Sequence, residues 1–210
     1  MSTTYKLYGA RRSGAAMVEL ALAEIGADYE FVKTGLGKGA KDSDSYLSVN
    51  PTGKLPALET PDGEILTESA AILLTLAERH PAANLLPRRH GRARAKAIRW
   101  TVFVAAEIYP MIEIVDYPER FVEKASAKAL RERARARIRH RWLAVESAIT
   151  GDPWLDLRGP STADLAIANV SRWSTGKRWR QKNCRGIDAI ATALAQRKST
   201  RPVWESHFGA

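Results

Sequence analysis

Glu68 and Ser69 stand at the expected start of a helix, and Leu55-Pro56 opens the hairpin that leads to them. Leu55-Pro56-Ala57-Leu58-Glu59 reads as a short apolar strand, Pro61-Asp62-Gly63 as a turn, and Glu64-Ile65-Leu66 as a second strand. Thr67-Glu68-Ser69 then leads into Ile72, Leu73, Leu76 and Ala77, which recur at helical spacing. The first N–H groups of a helix lack internal acceptors and lie at the positive end of its dipole, so a carboxylate arriving there meets donors and a favourable field. Pro56 cannot donate to a strand ladder, which predicts either a sheet edge or a cis bond that turns the preceding backbone outward. Either arrangement leaves the N–H and C=O of Leu55 available to another peptide. A small peptide-like anion fits these groups.

The signals around them read as an α/β unit. The order is β-α-β followed by β-β-α, up to about Arg79. Glu30-Phe31-Val32 reads as the second strand of that order. The polar stretch from Gly35 to Ser48 is expected to cover the ligand edge. Strand signals then stop, and helices are predicted over Arg92 to about Ile114, Lys124 to Ile149, Thr162 to Trp173 and Gly186 to Gln196. Pro110 should bend or end the first of these, since it removes a helical N–H and crowds the turn before it. Trp100, Phe103, Val104, Glu107, Ile108, Tyr109 and Met111 fall at helical spacing and read mainly as core.

Composition bounds the class without identifying it. The 210 residues are enough for two small domains, hydrophobic content is 45%, and no apolar run approaches the roughly 20 residues that span a bilayer. No leader pattern is visible and the lone Cys184 cannot form an internal disulfide, so a cytoplasmic location is expected, with no multi-cysteine zinc site and no metal. Of the 33 basic and 23 acidic residues, 10 and 11 lie in residues 1–90, leaving 23 and 12 in residues 91–210. Much of that excess is in Lys124 to Arg141, where arginine occupies alternate positions from Arg131 to Arg141. Helical residues are about 100° apart, so this spacing spreads charge around the helix and argues for a solvated surface over a nucleic-acid stripe. No zinc-finger, RNA-recognition or P-loop spacing is present.

The motifs closely resemble the glutathione-site half of cytosolic glutathione transferases, bacterial types included: X-Pro-Ala-Leu at Leu55–Leu58, the turn, then Glu68-Ser69 followed by Ala71-Ile72. Gly159-Pro160-Ser161-Thr162-Ala163-Asp164 resembles the Ser-X-X-Asp capping box of that family's helical domain and reads as a fold determinant. The resemblance extends upstream to a strand at Tyr5-Lys6-Leu7-Tyr8, a loop from Gly9 to Ser13 and a helix from Met17 to Ile25 ended by Gly26, and implies a thioredoxin-like domain over residues 1–82 and an all-helical C-terminal bundle over residues 90–210. It also implies a homodimer that binds glutathione and a small hydrophobic electrophile, with no nucleic acid and no membrane as partners. The reaction would be attack of the glutathione thiolate on the electrophile, or glutathione-dependent peroxide reduction. A free thiol of this kind has a pKa of about 8.5, so a donor against the sulfur must stabilise the thiolate.

In the superfamily that donor is a Tyr, Ser or Cys near the end of the first strand or the start of the first helix. Ser13, five residues after Tyr8, matches the serine-type spacing and is the first candidate; Tyr8 is the second. The cysteine of beta-class enzymes falls on Gly14. Ser13 also reads as a helix N-cap, and Arg11 and Arg12 add positive charge that could meet a sulfur or a carboxylate. By resemblance, Glu68 and Ser69 take the γ-glutamyl amine and carboxylate. Leu55, set by Pro56, pairs main chain with the cysteinyl unit, and Lys54 reaches the glycyl carboxylate. Asn50 and Thr52 read as turn formers. Phe103, Glu107, Met111 and Trp173 are expected to wall the second-substrate pocket. The competing reading is a non-catalytic module that uses the fold for binding or assembly.

Overall fold

A computed structural model describes residues 4–34, 44–87, 91–156, 159–173 and 175–209. The chain forms two compact units, one of residues 1–86 together with 194–210, the other of residues 87–193.

The first unit is built on a four-stranded sheet in the order β2-β1-β3-β4, from β1 (Tyr5–Gly9), β2 (Tyr29–Lys33), β3 (Ala57–Glu59) and β4 (Ile65–Thr67). β1 runs parallel to β2 and antiparallel to β3, and β3 is antiparallel to β4. Along β1, Tyr5, Leu7 and Gly9 are buried while Lys6 is exposed and Tyr8 half-buried, the period-2 pattern that fixes which face meets the helices. The parallel crossover is α1 (Ala15–Ile25), whose first eight residues are all buried, Glu19 among them. α1 packs beside α3 (Ser69–Arg79) on one side, and α10 (Arg201–Phe208) also packs against it.

Two glycines have a physical requirement here. A Cβ on Gly9 would sit 2.3 Å from the Ala15 Cβ, so only glycine lets the end of β1 approach α1 this closely. Gly26 closes α1 at φ +72° with its N–H on the Ala23 and Leu22 carbonyls, the left-handed C-terminal stop expected of it. Most of the predicted cover at Gly35 to Ser48 lies outside the described residues. Its described end forms a short helix, α2 (Asp44–Leu47).

The second unit is helical: α4 (Arg92–Phe103), α5 (Tyr109–Asp116), α6 (Lys124–Ala148), α7 (Thr162–Val170), α8 (Lys177–Asn183) and most of α9 (Arg185–Gln196). α4 passes into a π-turn at Val104–Ile108, and α5 restarts with Pro110 in its first turn, where a missing N–H costs nothing. α7 is buried on every side. The Ser161 side chain accepts from the Asp164 N–H, and Asp164 Oδ2 accepts from the Ser161 N–H at 2.8 Å, completing the capping box. Asp164 Oδ1 also accepts from Leu155 N–H at 2.7 Å, tying in the preceding loop.

α6 buries Ala134, Ile138, Trp142 and Val145 as one stripe. Of its alternating arginines, Arg133 and Arg137 are exposed, while Arg131 donates to the Val115 carbonyl at 2.9 Å, Arg139 to Thr175 at 3.2 Å and Arg141 to Glu107 at 2.9 Å. Arg131 thereby satisfies a carbonyl at the open end of α5.

Candidate functional site

Sheet register gathers the candidate residues. Tyr8 pairs with Ala57, and Ala57 pairs with Thr67 on its other side. The loop after β1, the Leu55-Pro56 entry to β3 and the Glu68-Ser69 exit from β4 therefore share one end of the sheet.

β3 lies inside the sheet and begins at Ala57, so Pro56 is not an edge residue; the Leu55-Pro56 bond is cis. Neither the N–H nor the C=O of Leu55 has a hydrogen-bond partner among the described residues. The preceding backbone is pinned: the Lys54 carbonyl accepts from the Tyr46 hydroxyl at 2.6 Å and from Asn50 Nδ2 at 2.7 Å. Asn50 Oδ1 accepts from the Thr52 N–H and hydroxyl at 3.1 and 2.9 Å. Asn50 is buried, and more than a turn former, since its amide holds both ends of the loop that delivers Leu55. The Lys54 side chain is exposed beside it.

Glu68 is the N-cap of α3, at φ +62° and ψ 109°, a conformation that a residue with a Cβ rarely adopts. Its side chain is exposed, and its carbonyl takes the first intrahelical bond, from Ile72. The N–H groups of Ser69, Ala70 and Ala71 thus precede the first intrahelical donor. The Ser69 hydroxyl has no partner among the described residues. Glu68, Ser69 and Leu55 supply, at one end of the sheet, a carboxylate, a hydroxyl with helix-start amides, and an unpaired peptide group.

The other side of this end is the loop from Ala10 to Gly14. Gly14 occupies the N-cap position of α1, and Ser13, one residue earlier, accepts from the Ala15 N–H at 3.2 Å. The Ser13 hydroxyl donates to the Ala10 carbonyl at 2.8 Å and is buried. The Tyr8 hydroxyl donates to Glu59 Oε2 at 3.1 Å, and burial together with that carboxylate raises its pKa above the ordinary tyrosine value. Arg12 sits at φ +60° with its side chain exposed, and its N–H donates to His207 Nδ1 at 3.1 Å. Arg11 bonds Ser206, lies 3.8 Å from Glu19 Oε2 and stacks over Phe31 at 5.2 Å, so its guanidinium is held by α1, β2 and α10. The links from this loop to Glu19 and His207 carry no local sequence signal.

The remaining candidates belong to the helical unit. Phe103 packs edge-on against Trp100 at 5.0 Å, and Trp173 packs on Tyr109 at 5.1 Å. Glu107 is exposed and paired with Arg141 at 2.9 Å, and Met111 is half-buried on α5. Cys184 is fully buried, and burial followed by the Glu146 carboxylate pushes its pKa up to about 12, which leaves it a neutral, unreactive thiol. Among the described residues no group of three or more His, Cys, Asp or Glu is placed to hold a metal ion, and no helix is long and apolar enough to cross a membrane.

Residues 3–78 match the family model for the glutathione S-transferase N-terminal domain. The chain is 30% identical over 188 residues to glutathione S-transferase GstA of Escherichia coli O157:H7, covering 87% of each chain. It is 38% identical to maleylacetoacetate isomerase of Pseudomonas aeruginosa over half of each chain, and 28% identical to disulfide-bond oxidoreductase YfcG of Escherichia coli K12 over about three-quarters of each. Among solved structures, a glutathione transferase homologue from Sulfitobacter with bound glutathione superposes with a TM-score of 0.88 at 23% identity, over 96% of this chain and 97% of that one. A similarity of 30% sustained over nearly nine-tenths of both chains, on the same fold, means that this chain belongs to the glutathione S-transferase family.

Proposed function

We propose that the protein binds glutathione at the end of the sheet bounded by Leu55, Glu68, Ser69 and the Ala10–Gly14 loop, and that it activates the thiol for attack on a small hydrophobic electrophile. The observation that carries this reading is that the N–H and C=O of Leu55 have no partner among the described residues, at the same end of the sheet as the open amides of α3. A γ-glutamyl-cysteinyl-glycine peptide has the complementary parts. Leu55 pairs with the cysteinyl main chain. Glu68 accepts from the α-ammonium, and the Ser69 hydroxyl with the helix-start amides donates to the α-carboxylate. Lys54, exposed beside Leu55, takes the glycyl carboxylate.

Ser13 is the thiolate donor in this account, at the positive end of α1. It serves by turning its hydroxyl from the Ala10 carbonyl to the sulfur, a change of side-chain torsion that leaves the Ser13 backbone in place. Tyr8 is less suited, because its hydroxyl is committed to the Glu59 carboxylate, a stronger acceptor than the Ala10 carbonyl that Ser13 would give up. Phe103, Glu107, Met111 and Trp173 wall the electrophile site. The functional form is a cytoplasmic homodimer acting in detoxification by conjugation or peroxide reduction. The relatives named an isomerase and a disulfide-bond oxidoreductase make glutathione-dependent isomerisation and disulfide exchange the nearest competing reactions. Buried Cys184 supplies no thiol to any of them.

A second reading, a non-catalytic module, is favoured by one observation: both candidate hydroxyls donate within the chain, Ser13 to Ala10 and Tyr8 to Glu59. Calorimetric titration of glutathione into the wild type, Glu68→Gln and Ser69→Ala tests the binding half of the proposal. Each variant is expected to bind about tenfold more weakly, the loss of one charge-assisted bond worth about 1.4 kcal/mol. Absence of any binding heat or competition by the wild type would leave the module reading standing.

A further inference from the structure

We infer that His207, on α10, is a positioning residue for the Ala10–Gly14 loop, a clamp delivered from a segment nearly two hundred residues away in sequence. Its ring is fully buried and is used at both nitrogens: Nδ1 lies 3.1 Å from the Arg12 N–H, and Nε2 lies 2.6 Å from Glu19 Oε2. A backbone N–H can only donate, so Nδ1 must be the acceptor and Nε2 must carry the proton it shares with the carboxylate. The tautomer is therefore fixed by the contacts.

Glu19 is the anchor of this relay. It is the one charged residue among the eight buried at the start of α1, and its other oxygen accepts from the Tyr29 hydroxyl at 2.9 Å. Burying a carboxylate on a packing face is costly unless its oxygens are bonded, and a leucine at either position would pack α10 on α1 without that cost. Packing is already supplied by Val203 and Trp204, which are buried on the same helix. What the relay adds is a bond to one particular amide, that of Arg12, whose φ of +60° is unfavourable for a residue with a Cβ. The preceding residue on each side makes a parallel contact: the Arg11 guanidinium donates to Ser206 as the Arg12 amide donates to His207. Holding Arg12 fixes the direction in which Ser13 and the first amides of α1 follow.

The consequence at the thiol rests on the glutathione reading above, whereas the clamp itself is measured without ligand. His207→Asn keeps an oxygen near the Nδ1 position and loses the reach to Glu19; His207→Gln does the reverse. Amide exchange at Arg12 and Ser13, with the glutathione thiol pKa as second readout, separates them. We expect exchange at Arg12 to rise at least about tenfold in His207→Gln and to stay within about threefold of wild type in His207→Asn, with the thiol pKa following the same order while glutathione affinity changes little in either. Equal behaviour of the two variants, both unchanged or both impaired, would overturn the clamp. If neither variant folds, the wild-type ring decides: nitrogen shifts showing the proton on Nε2 support the relay, and a proton on Nδ1 refutes it. If glutathione does not bind the wild type at all, the functional reading falls, and the exchange difference still decides the clamp.

Discussion

The Tyr46 hydroxyl donates to the carbonyl of Lys54 at 2.6 Å, and Asn50 Nδ2 donates to the same oxygen at 2.7 Å. Two donors from the far side of a loop thus orient the peptide that leads directly into Leu55. Tyr46→Phe removes one of them and should weaken glutathione binding by about fivefold, corresponding to about 1 kcal/mol. Asn50→Ala removes three bonds at a buried position and should cost about 2 to 3 kcal/mol in stability, with a larger loss of binding. Urea unfolding and titration of both variants check this; equal binding by wild type and Asn50→Ala would mean that the loop does not set Leu55.

Asp164 gives the helical unit a distinctive pH response. Burial pushes its pKa up to about 6 from 3.8, against the pull of the Ser161 hydroxyl and the Leu155 and Ser161 amides. A carboxyl whose folded pKa lies above its unfolded value holds its proton more tightly in the folded chain. Its contribution is fully present below pH 3.8 and is lost as pH rises through about 6, by at most about 3 kcal/mol. Asp164→Asn cannot ionise, so the stability of wild type relative to this variant should shrink steadily from pH 4 to pH 7. Unfolding curves across that window that run parallel for the two proteins would contradict the assignment. Asp164→Ala, which leaves buried donors unpaired at the start of α7, should destabilise most at pH 4, by about 3 kcal/mol, and by less toward pH 7 as the wild type loses its own contribution.

Cys184 should behave as core. With its thiol fully buried and its pKa pushed up to about 12, alkylation of the native protein should be at least about a hundredfold slower than of the urea-unfolded chain. Cys184→Ala should leave glutathione turnover unchanged and lower stability by about 1 kcal/mol. Rapid native labelling that abolishes turnover would show that the protein carries its own reactive thiol.

Much of the first unit was legible because its signals are local. The Pro61-Asp62-Gly63 turn separates β3 from β4, and Gly26 stops α1. The hairpin pairs Ala57 with Thr67 and so brings Leu55 to Glu68 and Ser69, whereas the pairing of Tyr8 with Ala57 is non-local and has no such local signal. α8 was missed because Lys177–Asn183 is almost wholly polar and its one buried residue is Arg180, held by Asp188 at 2.6 Å and the Ser171 carbonyl at 2.9 Å. α10 was missed because eight residues around Pro202 give too short a window for periodicity. Its bonds to Glu19 and Arg12 are non-local pairings that no motif announces. The same holds for Asn50, whose Asn-Pro-Thr-Gly context signals a turn but not that its amide would orient Lys54.

On the proposed reading, Ser13 lowers the thiol pKa of bound glutathione. The direct measurement is the thiolate absorbance of bound glutathione as a function of pH, for the wild type and for Ser13→Ala. The wild-type pKa is expected at least one unit below the free value of about 8.5, a stabilisation of about 1.4 kcal/mol or more. Ser13→Ala should bind glutathione comparably and return the pKa to near the free value. Identical lowering of the pKa in both proteins would contradict the assignment and move the donor to Tyr8, Arg11 or a backbone amide of the loop.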